Sequence, residues 1–425
     1  MQPRVVITGM GIIAPGASNI NQFNCNLKNG VSPISFQNEL ERLNFNCHVA
    51  AVANIDKTEH LPLLEQYGLE KSCDAIKMTI IAGLAAWRDA QLPIIDKENM
   101  TEPDWDTGLI MGSIWSAIDY ITSPLVSMVN EGQTRKLGSQ SIPTSMHTGS
   151  TAYLSGILGL GNKCYALSTA CASGLDALLE GYHIICRGDA KRMLVGGVES
   201  PSPYIWAGFD SLKALVKNFN NEPHKASRPL SASARGFVPG SGAGILVLES
   251  LESALQRNAP IYAEVLGGAA NTGGQVNNGS MTMPNYGAVK RCIAKALEKT
   301  KIQPNEIDFI NGHLTATKAD PYEIGTWASF YDKSHFPYIN STKSMVGHCL
   351  GAAGAIETIA TILQLSEGYI HPSLNSEDLH PEIEKYISHK VIPQKMIIKP
   401  GMKIAAKCAF GFGDINSCVL FKKYN

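Results

Sequence analysis

The feature that most constrains the fold is an internal repeat of a strand–helix unit. A helix that begins with small residues and continues as an apolar stripe occurs at residues 171–186 and again at 350–365. In each half, roughly sixty to seventy residues later, a glycine-rich turn leads into an apolar strand, at 236–248 and at 409–421. Strands this apolar cannot face water, so the repeat predicts an α/β fold in which helices sandwich stacked sheets. We place the boundary between the halves near residue 255, giving units 1–255 and 256–425.

A cysteine stands where the first of these helices begins. The sequence from Leu167 to Gly174 reads L-S-T-A-C-A-S-G, and Cys171 separates a short strand from the helical stripe. A thiol at a helix N-terminus faces unpaired backbone N–H groups and the positive end of the helix dipole, and both favour the thiolate. Small neighbours leave room for a substrate carbonyl. Cys171 is therefore either an activated nucleophile or a buried small apolar side chain, the commoner role of a free cysteine.

Two histidines occupy similar strand-to-helix junctions in the second half. His313 follows an apolar strand in N-G-H-L-T-A-T, and His348 ends S-T-K-S-M-V-G-H directly before the second small-residue helix. Each histidine alone is more often structural than catalytic. Together with Cys171 they indicate one site, because ligands of doubly wound sheets bind outside the carboxyl ends of the strands.

The composition argues against several other classes of protein. A net charge of −1 over 425 residues indicates no general affinity for nucleic acid or for an anionic membrane surface. The ten cysteines contain no C-x-x-C pair, and scattered free thiols are typical of the reducing cytoplasm. We therefore expect a cytoplasmic protein without a signal peptide, a membrane span or a metal site. A G-x-G-x-x-A string at residues 9–14 suggests a dinucleotide fold, but Pro15 stands where the phosphate-binding helix would continue.

Six motifs in order resemble those of β-ketoacyl–acyl carrier protein synthases of the elongating type, which belong to the thiolase superfamily. They are V-V-I-T-G-M-G (5–11), S-T-A-C-A-S-G (168–174), A-S-R-P-L with G-F-V-P-G-S-G-A-G (226–244), N-G-H-L-T-A-T (311–317), S-T-K-S-M-V-G-H-C-L-G-A-A-G-A-I-E (341–357) and A-F-G-F-G-D-I-N (409–416). The resemblance runs nearly from end to end. It implies a thiolase-like fold, in which two similar βα halves form a five-layered α-β-α-β-α sandwich.

The resemblance also implies a reaction. Cys171 would take an acyl group from the phosphopantetheine thioester of an acyl carrier protein, and malonyl-carrier protein would then lose carbon dioxide and attack this acyl-enzyme in a Claisen condensation. His313 and His348 would donate hydrogen bonds to the enolate oxygen. The backbone N–H groups of Cys171 and Phe410 match the oxyanion hole of the family, and Phe410 also matches its gate to the acyl pocket.

Further roles rest on the same resemblance. Lys343 matches the lysine behind the histidines, and Glu357 matches the acid on the adjoining helix. For both residues, a purely structural ion pair explains the match as well as a catalytic role does. Thr315 and Thr317 match hydroxyls that hold the pantetheine amides. Trp115 falls in a region that lines the acyl pocket at the dimer interface of relatives, with ordinary core packing as the alternative. No metal and no cofactor beyond the carrier's phosphopantetheine are implied.

The expected partners are an acidic acyl carrier protein and a second ketosynthase-like subunit, in a homodimer or a heterodimer. An acidic carrier requires a basic entrance to the site. Five residues fall where relatives place such charges, although each alone is more often a solvated surface charge: Lys71, Arg135, Lys136, Lys213 and Lys217.

Departures from the family pattern bear on the substrate. The loop after His313 reads L-T-A-T-K where the family usually has G-T-S-T-P, and Asp414 replaces a glycine. These changes favour a specialised polyketide or polyene pathway, with housekeeping fatty acid elongation as an alternative. A second alternative is the active subunit of a heterodimer whose inactive partner sets chain length. A thiolase or a starter-unit synthase is disfavoured because neither pairs one cysteine with two histidines in this way.

Overall fold

The computed structural model describes residues 3–94, 101–332 and 335–424. Ten strands form one hydrogen-bonded sheet. In chain order they are β1 (Val5–Ile13), β2 (Thr107–Gly112), β3 (Cys164–Leu167), β4 (Arg192–Glu199), β5 (Gly242–Ser250), β6 (Ala263–Thr272), β7 (Phe309–Asn311), β8 (Tyr338–Asn340), β9 (Ile404–Gly411) and β10 (Ile415–Lys423). Two short ribbons pair Ser35–Phe36 with Val49–Ala50 and Tyr369–Ile370 with Ile397–Ile398.

The sheet consists of two five-stranded halves with the same topology. The first half has the order β1-β5-β4-β2-β3 and the second the order β6-β10-β9-β7-β8. In each half the first two pairings are antiparallel and the last two are parallel. The halves join where β1 pairs with β6 over Val5–Ile7. This symmetry confirms the predicted repeat, whereas the boundary that separates units 1–255 and 256–425 stays a prediction.

The longer helices account for the remaining layers. They are α1 (Ile20–Asn29), α2 (Lys57–Gln66), α3 (Asp74–Asp89), α4 (Gly149–Leu158), α5 (Ser173–Cys186), α6 (Pro203–Ser211), α7 (Tyr286–Thr300), α8 (Asp320–Ala328) and α9 (Ala353–Glu367). Shorter helices cover Asn38–Arg42, Ile118–Tyr120, Val126–Asn130, Ser141–Ser145, Leu251–Gln256, Lys343–Val346 and Pro381–Glu384. Over the described ranges, none of the helices combines the length and apolarity needed to cross a membrane.

Side-chain alternation along the strands separates the layers. On β5, Leu246 and Leu248 join the central core that contains α5 and α9, while Ile245 and Val247 join an outer core that contains α3. On β10, Val419 faces the central core and Leu420 an outer core that contains α7. Since successive residues of a strand point to opposite faces, each half of the sheet is covered on both sides. The predicted five-layered α-β-α-β-α sandwich is confirmed.

The two central helices meet through glycines. A Cβ atom on Gly354 would lie 2.5 Å from the backbone nitrogen of Leu175, and one on Gly174 would lie 2.8 Å from that of Ala355. Both distances are shorter than van der Waals contact, so α5 and α9 can approach this closely only where these positions lack side chains.

We predict that Gly354→Ala lowers the midpoint of chemical unfolding. Overpacking at this contact should cost about 1–3 kcal/mol, which exceeds the roughly 1 kcal/mol that alanine gains over glycine in a helix. Gly156→Ala is the matched control, because nothing lies within 4 Å of a Cβ at that position in α4. The control should raise the midpoint, and a Gly354→Ala variant that behaves like it would contradict the close contact.

Candidate active site

Cys171 lies at a tight turn between β3 and α5. Ala170 adopts a left-handed backbone with φ of 50°. The hydroxyl of Ser173 accepts a hydrogen bond from the Thr169 N–H at 2.9 Å and donates one to the Ala170 carbonyl at 2.6 Å. The turn directs Cys171 into a cavity of about 770 Å³, although the residue is only 5% exposed. The strand–turn–helix arrangement is as expected, with the helix beginning at Ser173.

Burial determines the protonation state of Cys171. It raises the pKa of the thiol to about 12, against the opposing effects of the Lys343 charge and a hydrogen bond from the Phe412 backbone N–H. Desolvation of a charged sulfur therefore opposes the helix start, which by itself favours the thiolate. Cys171 rests as a thiol.

His313 and His348 line the same cavity as Cys171. Their ring centroids are 5.4 Å apart and their planes cross at 86°. His313 follows β7, and its backbone N–H donates to the carboxylate of Glu323 at 2.7 Å. The backbone N–H of His348 donates to the carbonyl of Val238 at 2.8 Å. Both histidines are thus held by their backbones, and the structure brings together the three residues on which the predicted site depends.

Hydrogen bonds assign the tautomer of each imidazole. The backbone N–H of Leu350 donates to Nδ1 of His348 at 3.3 Å, and the ammonium of Lys343 lies 3.5 Å from Nδ1 of His313. An ammonium can only donate, so each Nδ1 is an acceptor and each Nε2 carries the hydrogen. Burial, followed by the Lys343 charge, lowers the pKa of both histidines well below 6.5. Both rings are therefore neutral N–H donors.

A buried charged cluster lies behind His313. The Nζ of Lys343 is 2.7 Å from one carboxylate oxygen of Glu357, so the structure places these two predicted residues together. The Nζ of Lys407 is 2.6 Å from the other oxygen. All three side chains are at most 2% exposed. The sequence prediction missed Lys407, although a lone charge within the apolar run of residues 404–410 marks the position.

Thr315 and Thr317 also line the cavity. Their hydroxyl oxygens are 2.9 Å apart. The carboxylate of Asp320 accepts the backbone N–H groups of Thr315 at 2.8 Å and Ala316 at 3.1 Å. This buried acid orders the loop after His313 from behind, which leaves the two hydroxyls at the cavity surface.

Four phenylalanines contribute to the apolar part of the wall: Phe209, Phe237, Phe410 and Phe412. The ring of Phe410 lies 5.7 Å from that of His313, and the ring of Phe237 lies 5.1 Å from that of His348. The sequence prediction gave Phe410 the backbone N–H that serves the nucleophile, but the structure directs the N–H of Phe412 to Cys171. Phe410 is still within β9, where it pairs with β10, whereas Phe412 lies in the turn beyond the end of the strand.

Exposed basic residues occur at the cavity. Lys213 and Lys217 line it, together with Arg235 and Lys318, which the sequence prediction missed. Their spacing along the chain gives no indication that they converge. The remaining basic candidates are exposed but do not line the cavity: Lys71, Arg135 and Lys136.

Trp115 does not line this cavity, and its residue is 53% exposed, so it is not ordinary core. Its backbone N–H donates to the buried carboxylate of Glu199 at 3.1 Å, and the same carboxylate accepts the N–H of Gly351 at 3.1 Å. Burial raises the pKa of Glu199 to about 7. Glu199, which the sequence prediction missed, ties the segment after β2 to the start of the second central helix.

Comparison with known proteins gives relatives over the whole length of the chain. A relative from Arabidopsis thaliana, "3-oxoacyl-[acyl-carrier-protein] synthase I, chloroplastic", is 33% identical over 426 residues, covering 99% of this chain and 87% of the relative. A solved structure described as a type II PKS acyl-carrier protein in complex with its ketosynthase has a TM-score of 0.86 at 28% identity, with both chains fully covered. Another, the ishigamide ketosynthase/chain length factor, has a TM-score of 0.85 at 26% identity, again with both chains fully covered.

The family models agree with these similarities. "Beta-ketoacyl synthase, N-terminal domain" matches residues 2–254, and "Beta-ketoacyl synthase, C-terminal domain" matches residues 262–377. The first match alone covers more than half of the chain. With a cysteine and two neutral histidines around one cavity of a thiolase-like fold, the chain belongs to the β-ketoacyl synthase family.

Proposed function

We propose that the chain is a 3-oxoacyl-[acyl-carrier-protein] synthase, an acyltransferase that extends an acyl chain by decarboxylative condensation. The observation that carries the proposal is the convergence of Cys171, His313 and His348 on one cavity. It supplies one nucleophile and two neutral hydrogen-bond donors, which are the groups that acyl transfer and enolate formation require.

In the first half-reaction, the sulfur of Cys171 attacks the thioester carbonyl of an acyl-carrier protein. A bond forms between this sulfur and the acyl carbon, the bond to the pantetheine sulfur breaks, and the thiol proton passes to the departing thiolate. Since Cys171 rests as a thiol, deprotonation accompanies the attack. The Phe412 N–H, which points to this sulfur, is better placed than that of Phe410 to act with the Cys171 N–H as the oxyanion hole.

In the second half-reaction, malonyl-carrier protein loses carbon dioxide. The electron pair of the broken bond forms an enolate, whose oxygen accepts hydrogen bonds from Nε2 of His313 and His348. Its carbon then attacks the acyl carbonyl on Cys171, and the displaced thiolate takes up a proton. Neutral imidazoles can perform this step because the Nε2–H of each one donates a hydrogen bond to the developing negative charge.

The carrier and its phosphopantetheine arm require their own contacts. The hydroxyls of Thr315 and Thr317 lie at the cavity surface, where they can bind the pantetheine amides. Lys213 and Lys217 give the cavity positive charges that attract an acidic carrier, and we add Arg235 and Lys318 to this set. The substrates arrive covalently bound to phosphopantetheine, and the proposed steps use no metal or redox cofactor.

The subunit partner is proposed to be a second ketosynthase-like chain. The ishigamide ketosynthase/chain length factor supports a heterodimer, and the 3-oxoacyl-[acyl-carrier-protein] synthases among the relatives support the housekeeping alternative. The exposed indole of Trp115 can contact such a partner. At the interface between the two subunits it can also contact the acyl end of the substrate. A specialised polyketide or polyene product remains our proposal for the pathway. The ten free cysteines support a cytoplasmic location.

We predict that Cys171→Ala abolishes acylation. Intact-protein mass spectrometry after incubation with acyl-carrier proteins bearing saturated, polyunsaturated or aromatic chains should show an adduct on the wild type and none on the variant. The control is Cys164→Ala, which removes an exposed thiol seven positions earlier in the chain and should acylate normally. An adduct that persists in Cys171→Ala would overturn the assignment of the nucleophile.

We predict that His313→Ala and His348→Ala each slow malonyl decarboxylation by about 10²–10³, the usual loss for one donor to an oxyanion. Self-acylation should change much less, because the enolate does not form in that step. Since both imidazoles are neutral, wild-type decarboxylation should persist undiminished down to pH 6.5. His224→Ala, an exposed histidine, is the control. Equal losses in both steps would contradict this division of roles.

We predict that Lys213→Glu combined with Lys217→Glu raises KM for acyl-carrier protein about tenfold, or roughly 0.7 kcal/mol for each exposed charge. The turnover number should be unchanged, and the difference should shrink at high salt because screening weakens the attraction. Lys395→Glu reverses an exposed charge that does not line the cavity and should leave KM unaltered. If only the turnover number changed and KM did not, Lys213 and Lys217 would not take part in binding the carrier.

A further inference from the structure

Lys407 connects the buried acid of the site to the backbone beside a histidine. Its side chain is fully buried on β9, and its Nζ lies 2.6 Å from the Glu357 carboxylate. The same ammonium donates to the carbonyl of Cys408 at 2.5 Å and lies 3.5 Å from that of Gly312, the residue before His313. Lys407 is therefore fixed behind the cavity wall, where it touches no substrate.

The cluster of Lys343, Lys407 and Glu357 carries a surplus positive charge when both lysines are protonated; burial lowers the pKa of Lys343, and the charge of Glu357 opposes this shift. Two ammonium groups share one carboxylate, and burying an unbalanced charge is costly. Lys343 alone would neutralise Glu357. An apolar side chain would fill the position of Lys407 in the strand at lower cost, so ion pairing with Glu357 does not explain why a second lysine is present.

The neighbours of Lys407 do not remove this surplus below neutral pH. Asn311, its partner on β7, is uncharged, and burial raises the pKa of Cys408, which keeps that thiol neutral. Glu323 on α8 lies close enough to feel the Lys407 charge, but burial raises the pKa of Glu323 to about 7. The field of Lys407 also acts on the remaining ionisable groups of the wall, His313 and His348.

We propose that Lys407 is a positioning residue of the condensation proposed above, which places a second buried positive charge behind His313 and His348 and so stabilises the enolate. The malonyl thioester has a neutral carbonyl. When its bond to the carboxylate breaks and carbon dioxide leaves, the electron pair moves towards the carbonyl oxygen, which becomes negative. A fixed cation behind neutral donors interacts more strongly with this oxygen than with the carbonyl, and such differential binding accelerates a step.

The test compares Lys407→Met with Lys422→Met in the full chain. Lys407→Met removes the surplus charge and leaves Glu357 paired with Lys343. Lys422 is exposed on β10, so the control makes the same chemical change without altering the cluster. We expect Lys407→Met to slow decarboxylation of malonyl-carrier protein about tenfold, equivalent to ~1.4 kcal/mol. KM and the rate of Cys171 self-acylation should stay within about twofold of wild type, well below the tenfold change (~1.4 kcal/mol) expected for decarboxylation.

A pH profile distinguishes this role from a structural one. Lys407 disfavours the protonated imidazoles, so its loss should raise the pKa of His313 and His348. The acidic limb of decarboxylation should then move to higher pH in Lys407→Met and stay in place in Lys422→Met. A folded variant with an unmoved limb, or with equal losses in both half-reactions, would overturn the proposal.

The remaining outcomes are also decisive. If Lys407→Met does not fold, Lys407→Gln replaces it, and failure of both to fold would assign Lys407 to stability and overturn the proposal. A wild-type protein that neither acylates Cys171 nor decarboxylates malonyl-carrier protein would refute the proposed function itself. An active wild type with an indistinguishable Lys407→Met refutes only the role of Lys407.

Discussion

The site depends on the contact between the two central helices. α5 follows Cys171 and α9 follows His348, and the helices belong to different halves of the repeat. Gly174 and Gly354 let their first turns touch, with Gly351 packed against Gly174. Cys171 of one half and His348 of the other, the proposed nucleophile and hydrogen-bond donor, are therefore brought to the same cavity by backbone contact. A side chain at this contact would separate the halves of the site as well as the helices.

Desolvation is the second constraint, and it favours the neutral form of Cys171, His313 and His348, which line the cavity. It keeps the sulfur of Cys171 protonated and both imidazoles neutral at rest. Negative charge then appears only during the reaction, on the attacked carbonyl and on the enolate. Around such buried groups, fixed donors such as the Phe412 N–H interact strongly with such transient charge. Burial thus keeps the thiol of Cys171 protonated at rest, which weakens it as a nucleophile, but it also strengthens the interactions between the fixed donors and the charge that forms during the reaction.

The sequence predicted those features that depend on local pattern. The repeat and the junctions of Cys171, His313 and His348 follow from periodicity and motif order, and the five-layer order follows from the family resemblance. The local pattern does not show how deeply Cys171 is buried, because its burial is set by segments distant in the chain. A motif with two phenylalanines does not show where the strand ends, so it does not distinguish Phe410 within β9 from Phe412 beyond it. Position along the chain likewise does not show that Lys407 and Glu357 meet.

Asp414 departs from the family pattern, and the structure shows which contacts this residue makes. Its backbone is left-handed, with φ of 63°, a conformation in which glycine is ordinarily free of strain. Its carboxylate accepts the N–H groups of Asn285 at 2.7 Å and Gln275 at 3.0 Å. These bonds tie the turn that contains Phe412 to the segment before α7. Met283, which belongs to this segment, lines the cavity. The aspartate therefore joins the turn of Phe412, the proposed oxyanion donor, to the cavity wall, and its two hydrogen bonds offset the cost of the left-handed backbone.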